Sequence, residues 1–305
     1  MDHVASSAPD ARSVPVCYRH PDRETGVRCT RCERPICPEC MVSASVGFQC
    51  PECVHGGGPA PSGGGGGGTA RPMAAARPRT ITGGTMTADP RLLTKVLIGI
   101  NLAVFLVQLA VGESFTQRFE LIGRAYTPLL PGIQGIAEGQ YFRLLTAMFL
   151  HGGYAHILFN MLSLWWIGGP LEAALGRARY LTLYFVSGLA GSALTYLIAA
   201  PNQPSLGASG ALFGLFGATG VLMRRLNYDL RPLVALLVVN LIITFTPGFN
   251  IAWEAHVGGL VAGVVAGYAM VHAPRRNRAL VQYGTCALVL VVVAVLTLVR
   301  TGQLT

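Results

Sequence analysis

Five polar side chains stand inside apolar stretches of this 305-residue chain. They are His151, His156 and Asn160 in the run HGGYAHILFN, Ser209 in GASG, and His256 in AHVGG. Hydrocarbon disfavours polar and ionisable groups, so such residues at membrane depth point to function. His156 and Asn160 lie four residues apart and therefore share one face of a helix. A serine hydroxyl is a weak nucleophile until a base takes its proton, and histidine is suited to that role near neutral pH. Ser209 and His256 each fall near the start of an apolar run. With both starts on one side of the membrane, the two side chains reach similar depth. His156, Asn160 and the backbone N–H groups near Ser209 can then stabilise an oxyanion. The pairs Gly210/Gly214 and Gly259/Gly263 place small residues four apart, the spacing that lets two membrane helices approach closely. Plainer readings stand beside this one. A serine among glycines packs helices, an asparagine bonds between them, and three histidines form a metal-ligand set. No H-E-x-x-H motif is present, so a zinc protease of the usual membrane type has no support.

A second cluster precedes these residues. The spacing is Cys17-x-x-His20, Cys29-x-x-Cys32, Cys37-x-x-Cys40 and Cys50-x-x-Cys53, which makes eight ligands in four pairs. A closed structural zinc site takes four, so eight fit two Zn²⁺ ions. The segment is too short to bury an adequate core, and metal would supply its folding energy. His55 reads as a bystander, and the ligand pairing, interleaved or sequential, is open from spacing alone. The eighth cysteine, Cys286, lies in a late apolar run and reads as an apolar filler.

The elements that must hold these residues follow from composition. The chain is 51% hydrophobic and 12% charged, against about 25% charged in soluble domains. That excludes an ordinary soluble enzyme, a disordered chain and a disulfide scaffold. The net charge of +9 comes almost wholly from arginines scattered between apolar runs, which argues for a membrane protein rather than a nucleic-acid binder. Seven runs approach the roughly 20 residues needed to span the hydrocarbon core. They are 94–111, 153–169, 179–199, 207–223, 230–246, 253–272 and 279–299. The first 90 residues hold no apolar signal-peptide core. The mixed segment 112–150 is expected to lie partly in the membrane interface. Arginine placement predicts a cytoplasmic N terminus, because the loops at 177–179, 224–231 and 275–278 are rich in arginine while those at 200–206 and 247–252 have none. The cysteine cluster then sits where thiols stay reduced.

Several motifs together resemble the rhomboid family of intramembrane serine proteases, over residues 92–273. Phe142-Arg143 resembles the family's W-R element, with Phe in place of Trp. His151, His156 and Asn160 resemble its histidine–asparagine element, and Gly168, Glu172 and Gly176 its G-x-x-x-E-x-x-x-G element. Gly207-Ala208-Ser209-Gly210 matches GxSG, and Ala255-His256-Val257-Gly258-Gly259 matches the sixth-helix histidine motif. The resemblance implies an all-α polytopic membrane protein, a six-helix rhomboid bundle plus one C-terminal transmembrane helix. It implies Ser209 as nucleophile, His256 as general base, and an oxyanion hole from His156, Asn160 and the Ser209 N–H. No catalytic cofactor is implied. Cleavage of transmembrane substrate proteins would occur near the outer face, through an acyl-enzyme. Phe213, one turn after Ser209, occupies a place where some members stack a Tyr on the catalytic histidine. The cysteine pattern resembles B-box zinc modules, whose interleaved pairing would join Cys17, His20, Cys37 and Cys40 on one ion and Cys29, Cys32, Cys50 and Cys53 on the other.

The expected organisation is a disordered tail (1–16), a zinc module (17–55), a flexible Gly/Pro-rich linker (56–91), a protease domain (92–273), and an extra transmembrane helix with its tail (274–305). The expected partners are transmembrane substrates, the lipid bilayer and a cytoplasmic protein bound by the zinc module, with no nucleic acid. Two other functions compete with proteolysis: an inactive membrane adaptor on the same scaffold, and a histidine-lined metal transporter.

Overall fold

The computed structural model describes residues 15–44, 47–54, 80–85, 88–245 and 251–305. The expected disordered tail and His55 lie almost wholly outside that set, as does most of the expected linker. The chain divides into two compact units, 1–74 and 75–305.

The first unit has little regular structure. Two isolated bridges, Val16 with Glu24 and Arg28 with Pro35, flank a hairpin of Val42–Ser43 and Phe48–Gln49. A 3-10 turn (Pro38–Cys40) and one helical turn (Pro51–Val54) complete it. Its interior is Ile36 with six buried cysteines, and Cys32 packs at the edge. Burial on that scale does not hold a fold together without further linkage.

Among the described residues the second unit has seven long helices: α1 (Leu92–Val111), α2 (Tyr154–Leu175), α3 (Arg177–Ile198), α4 (Ser209–Arg225), α5 (Arg231–Phe245), α6 (Trp253–His272) and α7 (Arg278–Leu304). Each coincides with one apolar run of the sequence. Large apolar side chains such as Leu106, Leu158, Trp166, Leu288 and Val291 point outward and exposed. Lipid, not water, is the solvent that makes such a surface stable.

The centre of the bundle is α4, buried from Gly210 through Ala218. A helix apolar on every side belongs inside. It packs on α6 at backbone distance. A Cβ at Gly259 would collide with the Gly210 carbonyl, and one at Gly263 with the Gly214 carbonyl. From the other helix, a Cβ at Gly217 would stand 2.9 Å from the Leu260 carbonyl oxygen. The glycine spacing read from the sequence is thus the contact itself. On α3, Gly191 approaches the Ala255 carbonyl in the same way, at 2.6 Å for an added Cβ.

Polar residues inside the bundle cap helix ends. Glu172 of α2 accepts three hydrogen bonds at the start of α1: from Leu93 N–H (3.0 Å), Thr94 N–H (2.9 Å) and the Thr94 hydroxyl (2.9 Å). The first N–H groups of a helix lack internal partners, and a carboxylate there also meets the positive end of the helix dipole. The Thr82 hydroxyl donates to the Ala174 and Leu175 carbonyls at the end of α2, each at 3.1 Å. Gln282 of α7 donates to Thr82 O (3.1 Å) and Met270 O (2.7 Å), and accepts from Arg179 Nε (2.7 Å). Residues 80–85, which the sequence places in the linker, therefore strap the ends of α2, α6 and α7. The hydroxyl of Thr82 and the close approach of Gly84 to Leu175 O explain why small and polar residues stand there.

Replacing Glu172 by Ala is expected to strand the Leu93 and Thr94 N–H groups in a dry site, while the Thr94 hydroxyl keeps the Tyr180 hydroxyl, and to destabilise the fold by about 3 kcal/mol. Thermal unfolding in detergent measures it, with a lower Tm than wild type the expected result.

Candidate active site and zinc clusters

Ser209 opens α4, and the turn before it is built for that placement. Leu121 and Ser205 exchange two backbone hydrogen bonds of 2.9 Å, and Gly207 N–H donates to Ala147 O at 2.9 Å. Gly207 has φ +131°, and a Cβ there would stand 2.8 Å from His156 Nε2. Backbone conformation and space both exclude a side chain at this position. The first helical bond of α4 is Leu212 N–H to Ala208 O. The N–H groups of Ser209, Gly210 and Ala211 precede it and have no partner within the helix.

His256 Nε2 lies 2.8 Å from Ser209 Oγ. Phe213 stacks flat on the imidazole, with ring centroids 4.1 Å apart and planes inclined by 8°. The other ring nitrogen, Nδ1, lies 2.8 Å from the hydroxyl of Thr244 on α5. His156 is fixed differently. Its Nδ1 accepts the Gly152 N–H at 3.3 Å, so its proton resides on Nε2, the atom that faces Gly207. That N–H is a donor on the side of Ser209. Asn160 lies one turn further along α2, and its buried Nδ2 has no hydrogen-bond partner among the described residues.

His151 stands before α2, its ring edge-on to that of His156 at 5.1 Å. A side chain that sequence reasoning passed over holds it there. Gln108 of α1 accepts from His151 N–H (2.9 Å) and donates to His151 O (3.3 Å), a two-point clamp on the backbone. Gln108 stood out no more than any polar residue in an apolar run, because its partner lies 43 positions away.

A cavity of about 250 Å³ opens over Ser209, His156 and Gly207. Its rim includes Glu120 and Leu121 of the segment between α1 and α2, which folds as short helices and a two-residue hairpin. Arg143 organises that segment. It is fully buried and donates to Gln117 O (2.8 Å), Glu120 O (2.8 Å) and Gln140 Oε1 (2.6 Å). Its neighbour Phe142 is exposed and packs edge-on against Phe119. Burial, reinforced by the nearby Glu113 carboxylate and only partly opposed by Arg143, pushes the Glu120 carboxyl up from 4.5 to about 7.

The eight zinc-ligand residues form two groups, Cys17/His20/Cys37/Cys40 and Cys29/Cys32/Cys50/Cys53, with donor atoms within 4.8 Å of one another. The grouping is the interleaved one. Zinc–sulfur bonds of about 2.3 Å in a tetrahedron require sulfurs about 3.8 Å apart. Cys32 and Cys50 Sγ are 3.8 Å apart, and His20 Nδ1 lies 3.3, 3.5 and 3.9 Å from the sulfurs of Cys37, Cys40 and Cys17. The donor sets fit zinc in type and spacing. Burial pushes the Cys17 thiol up, but backbone N–H groups of Cys37, Arg19 and His20 outweigh it and bring it down to about 6, whereas burial and the neighbouring Cys17 and Cys37 push Cys40 of the same group up to about 11.

The comparisons with known proteins agree with this geometry. Residues 138–273 match the family model described as the Rhomboid domain. The chain is 35% identical over 173 residues to rhomboid protease GluP of Bacillus subtilis, covering 55% of this chain and 32% of GluP. It is 34% identical over 148 residues to YdcA of the same bacterium, covering 47% of this chain and 74% of YdcA. RHOMBOID-like protein 5 of Arabidopsis thaliana is 37% identical over 148 residues, 46% of this chain and 47% of that protein. The apolar helices and these likenesses define a multi-pass helical membrane protein, and the chain spans about a third of GluP and half of RHOMBOID-like protein 5. The chain belongs to the rhomboid family.

Two expectations follow. Purified full-length protein should carry two zinc ions, and Cys17→Ser and Cys29→Ser should each lower the content by one. The double variant should bind none, whereas sequential pairing would leave one ion; metal analysis after dialysis reads the difference. For Glu120, the raised folded-state pKa means that stability is fully present below about pH 4.5 and is lost as pH rises through about 7. Glu120→Gln should therefore raise Tm at pH 8 and leave it nearly unchanged at pH 4.5.

Proposed function

We propose that this chain is an active intramembrane serine endopeptidase that cleaves transmembrane segments of other membrane proteins. The observation that carries the reading is the 2.8 Å contact of His256 Nε2 with Ser209 Oγ, a residue that lines the cavity. Ser209 Oγ attacks the scissile carbonyl and passes its proton to His256 Nε2. The new oxyanion meets the N–H groups at the start of α4 and the His156 Nε2–H, with Asn160 supporting from the turn below. The imidazolium then protonates the leaving amine nitrogen, and the peptide bond breaks. Water entering the cavity, deprotonated by His256, hydrolyses the ester and frees Ser209. His256 and Ser209 form the working pair without a carboxylate.

The arginine distribution supports an N terminus in the cytoplasm, so the cavity opens to the outer side and cuts near the outer face. The zinc unit then lies in the cytoplasm, two Zn²⁺ ions holding its fold while its surface docks a protein partner. The spared dyad and oxyanion donors speak against an inactive adaptor.

Ser209→Ala and His256→Ala should each reduce cleavage of a transmembrane test substrate in liposomes by roughly a thousandfold or more. A fluorophosphonate probe should label wild type and not Ser209→Ala. Undiminished hydrolysis by purified Ser209→Ala would overturn the assignment.

A further inference from the structure

We propose that Thr244 is a positioning residue for His256: a neutral hydroxyl that sets the tautomer of the base, an inference that rests on the protease reading above. The Thr244 side chain is buried, at 6% exposure, and its Oγ1 makes two contacts. One is to Asn240 O, one turn back on α5, at 2.7 Å; the other is to His256 Nδ1 at 2.8 Å. A threonine hydroxyl has one proton. The Asn240 carbonyl can only accept, so the proton is committed there. Toward His256 the oxygen is left with lone pairs, and Nδ1 must be the donor. The Nδ1–H tautomer follows, and Nε2 presents a lone pair to Ser209 Oγ–H 2.8 Å away. The unproductive tautomer would set Nε2–H against the serine oxygen and leave Nδ1 facing a hydroxyl with no proton to give.

The chain of bonds therefore runs from the α5 backbone, through Thr244 and His256, to Ser209. It reproduces the orienting function that a carboxylate serves in serine proteases of soluble folds. After His256 has taken the serine proton, Nδ1–H keeps the same acceptor, so the imidazolium forms without rearrangement. The sequence of α5 is consistent with this use. After Arg231 its polar side chains are Asn240 and Thr244, one turn apart, in a helix otherwise made of apolar residues. A membrane threonine commonly satisfies itself on the carbonyl four residues back. Here that habit has a second consequence, because it polarises the hydroxyl toward the imidazole.

Three variants and two readings test it. In ¹⁵N spectra of histidine-labelled protein, with His256 assigned by its disappearance in His256→Ala, wild type should show the Nδ1–H tautomer. Thr244→Val, which keeps the shape and loses the hydroxyl, should shift His256 toward the other tautomer, and Thr244→Ser should not. In fluorophosphonate labelling, kinact should fall roughly tenfold in Thr244→Val with KI unchanged, as for loss of one hydrogen bond in the transition state. Thr244→Ser should stay within about threefold of wild type. Thr244→Ala serves as the hydroxyl-free variant if the valine variant does not fold. An unchanged His256 spectrum in the hydroxyl-free variant overturns the proposal, as does equal loss of kinact in the serine and valine variants. The spectrum does not depend on activity. A wild type that shows the Nδ1–H tautomer but takes no Ser209-dependent label would instead sink the protease reading.

Discussion

The structure depends on the distance between α4 and α6. Helix axes ordinarily pack about 8–10 Å apart, set by the side chains between them. Here the glycines of one helix rest on the carbonyls of the other, at Gly259 on Gly210 and Gly263 on Gly214. A serine side chain has one rotatable bond and short reach. It meets His256 Nε2 at 2.8 Å only because the two backbones touch. In a bilayer this contact receives little hydrophobic help, since lipid tails are as apolar as leucine, so packing at small residues carries it. The stripe of glycines is therefore part of the proposed chemistry, because it sets the separation of Ser209 and His256.

Hydrocarbon imposes a second constraint, that polar groups find partners inside the protein. The chain meets it by sending side chains to the ends of distant helices. Glu172 caps α1 from α2, Thr82 closes the end of α2, and Gln282 joins the strap to α6. The G-x-x-x-E-x-x-x-G element has its physical meaning here. A Cβ at Gly168 would meet the Tyr180 hydroxyl at 2.5 Å, Glu172 reaches the start of α1, and Gly176, with φ +79°, turns the chain into α3.

What the sequence made legible follows from the same physics. Ser209, His256 and His156 stood out because polar residues are scarce where lipid is the solvent, and the eight candidate zinc ligands because they fall in C-x-x-C and C-x-x-H pairs. Helix positions were legible because a span must be long and apolar. Four features were not. Thr244 looks like any membrane threonine, and only its partner on α6 distinguishes it. Gln108 needs His151, far away in sequence, to acquire meaning. The segment 80–85, TITGGT, has the composition of a linker, yet its small residues are what let it lie against α2. The zinc pairing depends on how the chain crosses itself, which spacing does not encode.

The short length of α4 connects the polar loop to the site. Its 17 residues span about 25 Å, less than the roughly 30 Å hydrocarbon core. A helix shorter than the core leaves space beyond one of its ends, and the cavity lies at the Ser209 end. Lipid would fill such a space unless polar backbone enclosed it, and irregular backbone at membrane depth is tolerated only where it lines a cavity or is buried in protein. The segment between α1 and α2 provides that wall. Arg143 holds the Gln117 and Glu120 carbonyls, Leu121 pairs with Ser205, and Ala147 O holds the Gly207 N–H. Side-chain bonds of a buried arginine and these backbone bonds thus tie the segment to the residue two positions before the proposed nucleophile. The segment between α1 and α2 and the turn that carries Ser209 are one hydrogen-bonded structure. A hydrolytic step inside a membrane needs that union, because water must reach the ester without lipid reaching the oxyanion donors.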